Sequence, residues 1–472
     1  MVACLPHVAG WHSLRALHRL ALDLPLNPLG PPAFVFDIDG VLIRGKCVLD
    51  SAKTAMAELC PSGTWRFPTV FMTNGGGVTE AHKAQQLSSW LQVPVAEEQV
   101  ILSHTPMRGL VQELGQRPVL VAGRGNVLQV AAGYGFTRLV SSEQLAAAMP
   151  TAVPFLPPLP APPPGSCPVR DQGLGTEAAP IEAVLVMSDP SNWYVDLQLL
   201  TDVLASGGVP GRPESQDPAS PPCRLYFSNP DLLWANAFPR NRFGQGAFAH
   251  ALLALYARLH GRPPGDVKFY GKPNPEPYRL AEQLLQQQAV RLGMVPPPEP
   301  QHIHKLPTAG ATATAAEAGA GAGAAAGAGA AAAQSWTSHA TGGTPGSMEE
   351  GMAHPHSQAR AGSPCEGPPT AVNTGGRRGH SVGADQCKWG GSSALHSPFS
   401  GIYAVGDNPA ADVRGANAAG APWVSVLVKT GVFKGPGANC SVDPAHITVP
   451  DVASAVKAAM HRTRSLRFHS MR

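Results

Sequence analysis

The sequence predicts an α/β protein: a parallel sheet forms its core, and a second, smaller α/β unit is inserted into it. Two observations carry this. Short apolar runs end abruptly in polar or acidic residues, as in Phe34-Val35-Phe36, Thr69-Val70-Phe71-Met72 and Ile402-Tyr403-Ala404-Val405. Uninterrupted runs of this length fit strands covered on both faces, where apolar and polar residues need not alternate. Between and beyond them, apolar residues recur at helical spacing, at Ala52, Ala55, Met56 and Leu59 and again at Val413, Ala416 and Ala419. Strand and helix patterns alternating in this way indicate helices packed on a mostly parallel sheet.

The totals set outer limits. A chain of 472 residues, 43% of them hydrophobic, has room for two or three domains with real cores. Its 51 Gly and 49 Pro are concentrated in particular segments, so the folded part is shorter than the length suggests. The net charge of +3 comes without a dense basic stripe, which gives no reason to expect a nucleic-acid partner. The eight cysteines are scattered with no Cys-x-x-Cys pair and read as reduced thiols. No run is long and apolar enough to predict a membrane span.

Taken in order, residues 1–32 form a leader. Trp11, Leu14, Leu17, Leu20 and Leu22 fall near helical spacing, with Arg15 and Arg19 nearby and Asp23 as the only acid. An acid-poor amphipathic leader reads as an organellar presequence, with mitochondrion as the first expectation and plastid or cytoplasm as alternatives. An ordinary surface helix is the other reading. The first core segment spans 33–105. It contains the strand ending in Asp37-Ile38-Asp39-Gly40, a helix before Cys60, the strand ending in Thr73-Asn74-Gly75-Gly76-Gly77, and a helix over 79–92. Glycines after that second strand permit close backbone approach, which suits a bound phosphate.

The inserted unit is expected at 106–240. Strands are read at Arg117–Ala122, Ala183–Met187 and Arg224–Ser228, with Pro-rich loops at 154–180 and 209–222. The second core segment, 241–294, carries Lys272 in the turn Gly271-Lys272-Pro273-Asn274-Pro275, where the prolines fix the backbone around the lysine. Residues 295–398 include a tract of nearly pure Ala and Gly over 309–333; such composition cannot bury enough surface to offset its ordering entropy, so this segment reads as a disordered insert. The last core segment, 399–472, holds the strand ending in Gly406-Asp407, with Asp412 five residues on, a further strand Trp423–Val428, and a short helix Val452–Met460.

These strand ends converge on one chemistry. Phosphoryl transfer needs a nucleophile, a proton donor for the leaving oxygen, and positive charge on the phosphoryl oxygens. Asp37 can attack, and Asp39, on the other side of the local turn, can protonate the leaving group and then activate water. Carboxylates this close repel one another, and an all-oxygen site that also meets phosphate suits Mg²⁺. Asp407 and Asp412 offer further negative ligands, Thr73 and Asn74 can donate to phosphoryl oxygens, and Lys272 supplies fixed charge. The partner is then a small phosphate ester, with assembly into a homo-oligomer left open.

The series Asp37-x-Asp39, Thr73 at a strand end, Lys272, then Asp407 and Asp412 resembles the motif set of the haloacid dehalogenase (HAD) superfamily. The resemblance implies a HAD-type Rossmann-like parallel core and, for the unit between the Thr and Lys motifs, the larger C2-type cap of class IIA. It further implies that Asp37 is nucleophile and metal ligand, and that Asp39 is acid/base and binds the metal through its backbone carbonyl. Asp407 is then a metal ligand and Asp412 supports the metal or Lys272. Thr73-Asn74-Gly75-Gly76-Gly77, Ser103-His104-Thr105-Pro106 and Ser228-Asn229-Pro230-Asp231-Leu232-Leu233-Trp234 are similar to the cat eye syndrome critical region protein 5 family, also called HAD-like hydrolase domain-containing protein 5. That likeness implies a mitochondrial location and a link to glycerophospholipid synthesis. A dehalogenase is disfavoured, since that chemistry needs no second acid such as Asp39. The competing class is a HAD-fold binding or regulatory protein without turnover.

Overall fold

The structure, a computed structural model, describes residues 27–157, 165, 167–213, 223–296, 397–435 and 438–472. Most of the leader and of the 295–398 insert therefore lies outside the described residues. The core is a six-stranded sheet in the order Ile447–Val449, Trp423–Val428, Gly401–Gly406, Pro32–Phe36, Thr69–Met72, Val100–Ile101, with every pairing parallel. Pro32–Phe36 lies near the middle. Phe36 pairs with Val405 on one side and Phe71 on the other, so the residues that follow these three strands emerge side by side at one edge.

Packing explains the uninterrupted apolar runs. Phe34 and Phe36 face one side, where they meet Ala52, Met56 and Leu59 of helix Asp50–Leu59, Leu87 of helix Glu80–Leu91, and Val452 and Val456 of helix Val452–Ser470. Ala33 and Val35 face the other, against Tyr278, Ala281 and Leu285 of helix Pro275–Arg291 and Ala416 of helix Arg414–Ala419. With both faces covered, each residue of the strand is buried, and the strand cannot slip without driving Phe34 and Phe36 out of their layer. The final helix runs ten residues past its expected end at Met460. Its polar-looking second half stays helical because Arg462 and Thr463 are buried against Tyr403, with Arg462 Nη1 donating to the Tyr403 hydroxyl at 3.4 Å.

A second parallel sheet runs in the order Val267–Phe269, Arg224–Phe227, Ala183–Val186, Pro118–Ala122, Arg138–Ser141. Leu120, Val184, Val186, Leu225 and Phe227 pack on one face against helix Trp193–Ala205 and helix Gln245–His260. Val119, Val121, Ala183 and Leu185 pack on the other against helix Val127–Tyr134. The sheet reaches further along the chain than the expected limit of 240. Phe248, Leu252 and Tyr256 bury their helix against it, and Val267–Phe269 becomes its edge strand. An apolar helix does not announce which of two neighbouring sheets it will cover, so sequence spacing alone set that boundary too early. Strand Arg138–Ser141 and helix Ser142–Ala148, started by a capping box between Ser141 and Gln144, are further elements beyond the sequence reading.

Two short antiparallel hairpins complete the arrangement, Ile43–Arg44 with Cys47–Val48 and Leu233–Trp234 with Arg242–Phe243. They are joined where Arg44 Nε donates to the Asn236 carbonyl at 3.3 Å. Among the described residues no helix is long and apolar enough to cross a membrane.

Candidate active site

Side-by-side strand ends bring together carboxylates that are 370 residues apart in the chain (407 − 37). Asp37 follows Pro32–Phe36, and its N–H donates to the Val405 carbonyl at 2.9 Å, continuing the ladder. Asp407 follows Gly401–Gly406, and Asp412 sits in the wide turn Pro409–Val413, where its Oδ2 accepts from Asn408 N at 3.0 Å. Carboxylate oxygens of Asp37, Asp407 and Asp412 lie within 4.8 Å of one another, all three residues buried. Gly40 takes φ of +85°, and a Cβ there would stand 2.3 Å from Asp407 Oδ2, so the turn after Asp39 can close over the acids only with glycine.

Lys272 enters this cluster. Its ammonium donates to Asp37 Oδ1 at 2.6 Å, to Asp412 Oδ1 at 2.6 Å and to the Met72 carbonyl at 3.1 Å, which uses its three hydrogens. Burial opposes the charge on Lys272, yet Asp37 and Asp412 hold its pKa well above the ordinary lysine value. Burial raises the pKa of Asp37, with Lys272 opposing and the other carboxylates adding to the rise. Burial likewise pushes Asp407 up to about 8, reinforced by Asp412 and resisted by the N–H of Val432. When all three buried carboxylates are ionised, one ammonium against them leaves an excess of two negative charges. The all-oxygen donor set and that excess fit one hard divalent cation.

The other expected residues divide into two groups. Thr73 Oγ1 accepts from Gly75 N at 3.0 Å, which leaves its hydroxyl hydrogen to donate into the cavity. Asn74, expected to donate to phosphate, is committed elsewhere. Its Nδ2 donates to the Lys272 carbonyl and to Asp231 Oδ2, both at 2.9 Å, and its Oδ1 accepts from Lys272 N at 2.8 Å. The amide thus holds the turn that carries Lys272, because a buried amide is best satisfied by a backbone that offers both a donor and an acceptor. Asn229 Nδ2 in turn donates to the Asn74 carbonyl at 2.8 Å, and burial pushes Asp231 up to about 7 against its bond from Asn74.

Asp39 faces the same cavity, half-buried. Burial raises its pKa, while Lys83, Lys272 and Arg124 oppose the rise. The cavity, of 410 Å³, is bounded by Asp37, Asp39, Thr73 and Lys272 at its floor. Lys83 and Trp90 of helix Glu80–Leu91, Arg124 and Asp189 of the second sheet's loops, and Trp234 of the hairpin form its walls. Lys83 and Arg124 escaped the sequence reading; a lysine on an exposed-looking helix and an arginine in a loop carry no signal of their own. Asp189, Asn229 and Asp231 also reach this cavity.

The glycine run after Thr73 does a different job from the one expected. A Cβ on Gly76 would lie 2.7 Å from the Met187 carbonyl, and one on Gly77, with φ of +84°, 2.5 Å from the Arg124 carbonyl. Asn126 N donates to the Gly77 carbonyl at 2.8 Å. Gly76 and Gly77 therefore let the loops of the second sheet seat on the core, while Gly75 alone stays beside Thr73 and Asp39.

Comparison with known proteins finds relatives of this chain. Residues 34–137 match the haloacid dehalogenase-like hydrolase family model, and residues 392–455 match a second HAD-hydrolase-like model. The chain therefore carries HAD-like hydrolase domains over these two segments. A mitochondrial hydrolase of Saccharomyces cerevisiae is 29% identical to it over 91% of this chain and 96% of that protein. A fusion of CMP-forming cardiolipin synthase with a mitochondrial hydrolase in Schizosaccharomyces pombe is 34% identical over 58% of this chain, which spans 44% of that relative. A hypothetical protein of Pyrococcus horikoshii superposes with a TM-score of 0.48 at 15% identity, over 90% of this chain and 98% of its own. The names of the two yeast relatives support the mitochondrial location expected from the sequence.

Proposed function

We propose that this HAD-like hydrolase is a Mg²⁺-dependent phosphatase of small phosphate monoesters that works through an aspartyl phosphate on Asp37. The observation that carries the reading is the buried cluster of Asp37, Asp407 and Asp412 pinned by Lys272, with Asp39 facing the same cavity. In this reading Asp37 attacks phosphorus, forming an aspartyl–phosphate bond as the bond to the leaving oxygen breaks. Asp39 gives its proton to that oxygen, and then takes one from the water that hydrolyses the intermediate. A carboxyl whose pKa is raised by burial suits the first of those steps. Thr73 donates its hydroxyl to a phosphoryl oxygen. Lys272 keeps Asp37 aimed and contributes its charge from a fixed position, and Asn74 fixes Lys272.

Asp37, Asp407 and the Asp39 backbone carbonyl would hold the metal, with Asp412 supporting it through Lys272. The cation would neutralise phosphoryl charge and the excess charge of the carboxylates. The second sheet and its loops, read as the cap, close the cavity and exclude water once an ester is bound. A link to glycerophospholipid metabolism belongs to the same reading, supported by the fission yeast relative in which a hydrolase is fused to a cardiolipin synthase. The test is hydrolysis of a panel of phosphate esters by the full chain with Mg²⁺ or EDTA, beside Asp37→Asn. Activity that needs Mg²⁺ and is lost in the variant supports the proposal. Equal rates in EDTA, or in the variant, contradict it.

A further inference from the structure

The machinery assigned so far handles the phosphoryl group and leaves two cations of the cavity wall without a task. Lys83 projects from helix Glu80–Leu91 and passes its ammonium 5.5 Å from the centre of the Trp90 ring; among the described residues it has no ion pair. Arg124 follows strand Pro118–Ala122 and reaches Asp189 only at 3.7 Å, longer than a hydrogen bond. Both cations line the cavity together with Asp39, and both oppose the rise of its pKa. They therefore stand on the leaving-group side of the phosphoryl site, one carried by the core and one by the second sheet.

We propose that Lys83 and Arg124 form a second anion-binding position beside the phosphoryl site, so that the preferred substrate is a phosphate monoester whose alcohol portion carries its own carboxylate or second phosphate. This rests on the phosphatase reading. Two like charges lining a confined space draw an anion into it, with Asp39 and Asp189 as the carboxylates that compete with that anion for them. Their spacing is set in advance. Gly77 packs directly under the Arg124 backbone, and Asn126 N bonds to the Gly77 carbonyl at 2.8 Å, which ties the arginine's loop to the segment leading into the lysine's helix. A preset pair of donors binds an anion without first having to order itself. Asp189 competes for Arg124, so it tempers the preference.

The experiment compares matched esters on the purified full chain with Mg²⁺: ethyl phosphate against 2-phosphoglycolate, and propyl phosphate against propane-1,3-diyl bisphosphate. We expect kcat/KM to favour one or both doubly anionic esters at least tenfold. Lys83→Gln and Arg124→Gln should each cut that ratio by about tenfold, chiefly through KM, while Lys83→Arg keeps it. Asp189→Asn should raise the ratio, a direction that misfolding cannot imitate. The first pair reads a carboxylate and the second a phosphate, so the pair that responds identifies the second anion. An unchanged ratio in both Gln variants, with the esters still hydrolysed, overturns this inference and leaves the phosphatase reading standing. If the full chain turns over no ester, the phosphatase reading fails, and titration with the same four compounds, followed by tryptophan fluorescence, decides the inference. Binding of a doubly anionic compound that weakens tenfold in Lys83→Gln upholds the second site, and binding that does not overturns it.

Discussion

Among the described residues Lys272 is the single cation inside a cluster of three buried acids, and the stability of the site depends on that imbalance. Removing it strands the carboxylates, and breaking a buried charge pair by deleting one partner costs about 3–5 kcal/mol. Lys272→Met is therefore expected to unfold at lower urea in EDTA by that amount, with Mg²⁺ restoring more stability to the variant than to the parent. Denaturation curves with and without Mg²⁺ check both statements. Because Asp37 and Asp407 have raised pKa values, their protonation relieves the same repulsion, so the deficit of Lys272→Met should shrink as pH falls from about 8. At this scale much of the candidate site was legible in the sequence. Asp37, Thr73 and Asp407 each follow an apolar run directly, and Asp39 and Asp412 lie close behind. Asn74 was legible as a site residue but not in its task, since its partners Lys272 and Asp231 are 198 and 157 residues away. Lys83 and Arg124 were illegible, because their meaning comes from a cavity that exists only once two sheets meet.

Elements carry the next set of consequences. Gly77→Ala places a methyl 2.5 Å from a backbone oxygen at a positive φ, so the second sheet's loop must move. The expected cost is about 1–3 kcal/mol, with a raised KM for any ester that uses Arg124. Thermal unfolding together with steady-state kinetics measures both. His104 lies where the chain leaves the core sheet, fully buried, with Nδ1 2.7 Å from the Tyr134 hydroxyl on a helix of the second sheet. Burial pushes its pKa down to about 4 against the pull of Glu80. The unfolded chain, with a histidine pKa near 6.5, binds a proton first as pH falls, so this contribution is complete above that value and is lost on the way to about 4. Between pH 7 and 5 the stability gap separating wild type from His104→Gln should narrow by about 2 kcal/mol, read from urea midpoints at the two pH values. Long central strands were plain from their apolar runs. The two-residue edge strand Val100–Ile101 and the hairpin strands were not, because so short a run has no pattern apart from its partners.

For the molecule as a whole, function arises where the core sheet's carboxyl edge meets the loops and hairpin that line the cavity from above. Trp234 and Asn236 of the Leu233–Phe243 hairpin line it, as do Ile43 and Gly45 of the first hairpin. Filling the cavity with Mg²⁺ and orthovanadate should slow amide exchange in both hairpins severalfold while leaving helix Val452–Ser470 unchanged. Uniform slowing throughout would assign the effect to global stability instead. The order of motifs along the chain, and hence the architecture, could be read from sequence because each motif ends a strand. The ownership of residues 245–269 could not, since it depends on which sheet offers an uncovered face. The most direct measurement of the central claim is chemical trapping. Full-length enzyme turning over a phosphate ester is acid-quenched, reduced with borohydride and mapped by mass spectrometry. The account predicts homoserine at position 37, produced from an aspartyl phosphate and absent without Mg²⁺; sustained hydrolysis with Asp37 unmodified, or with the mark on another residue, would contradict it.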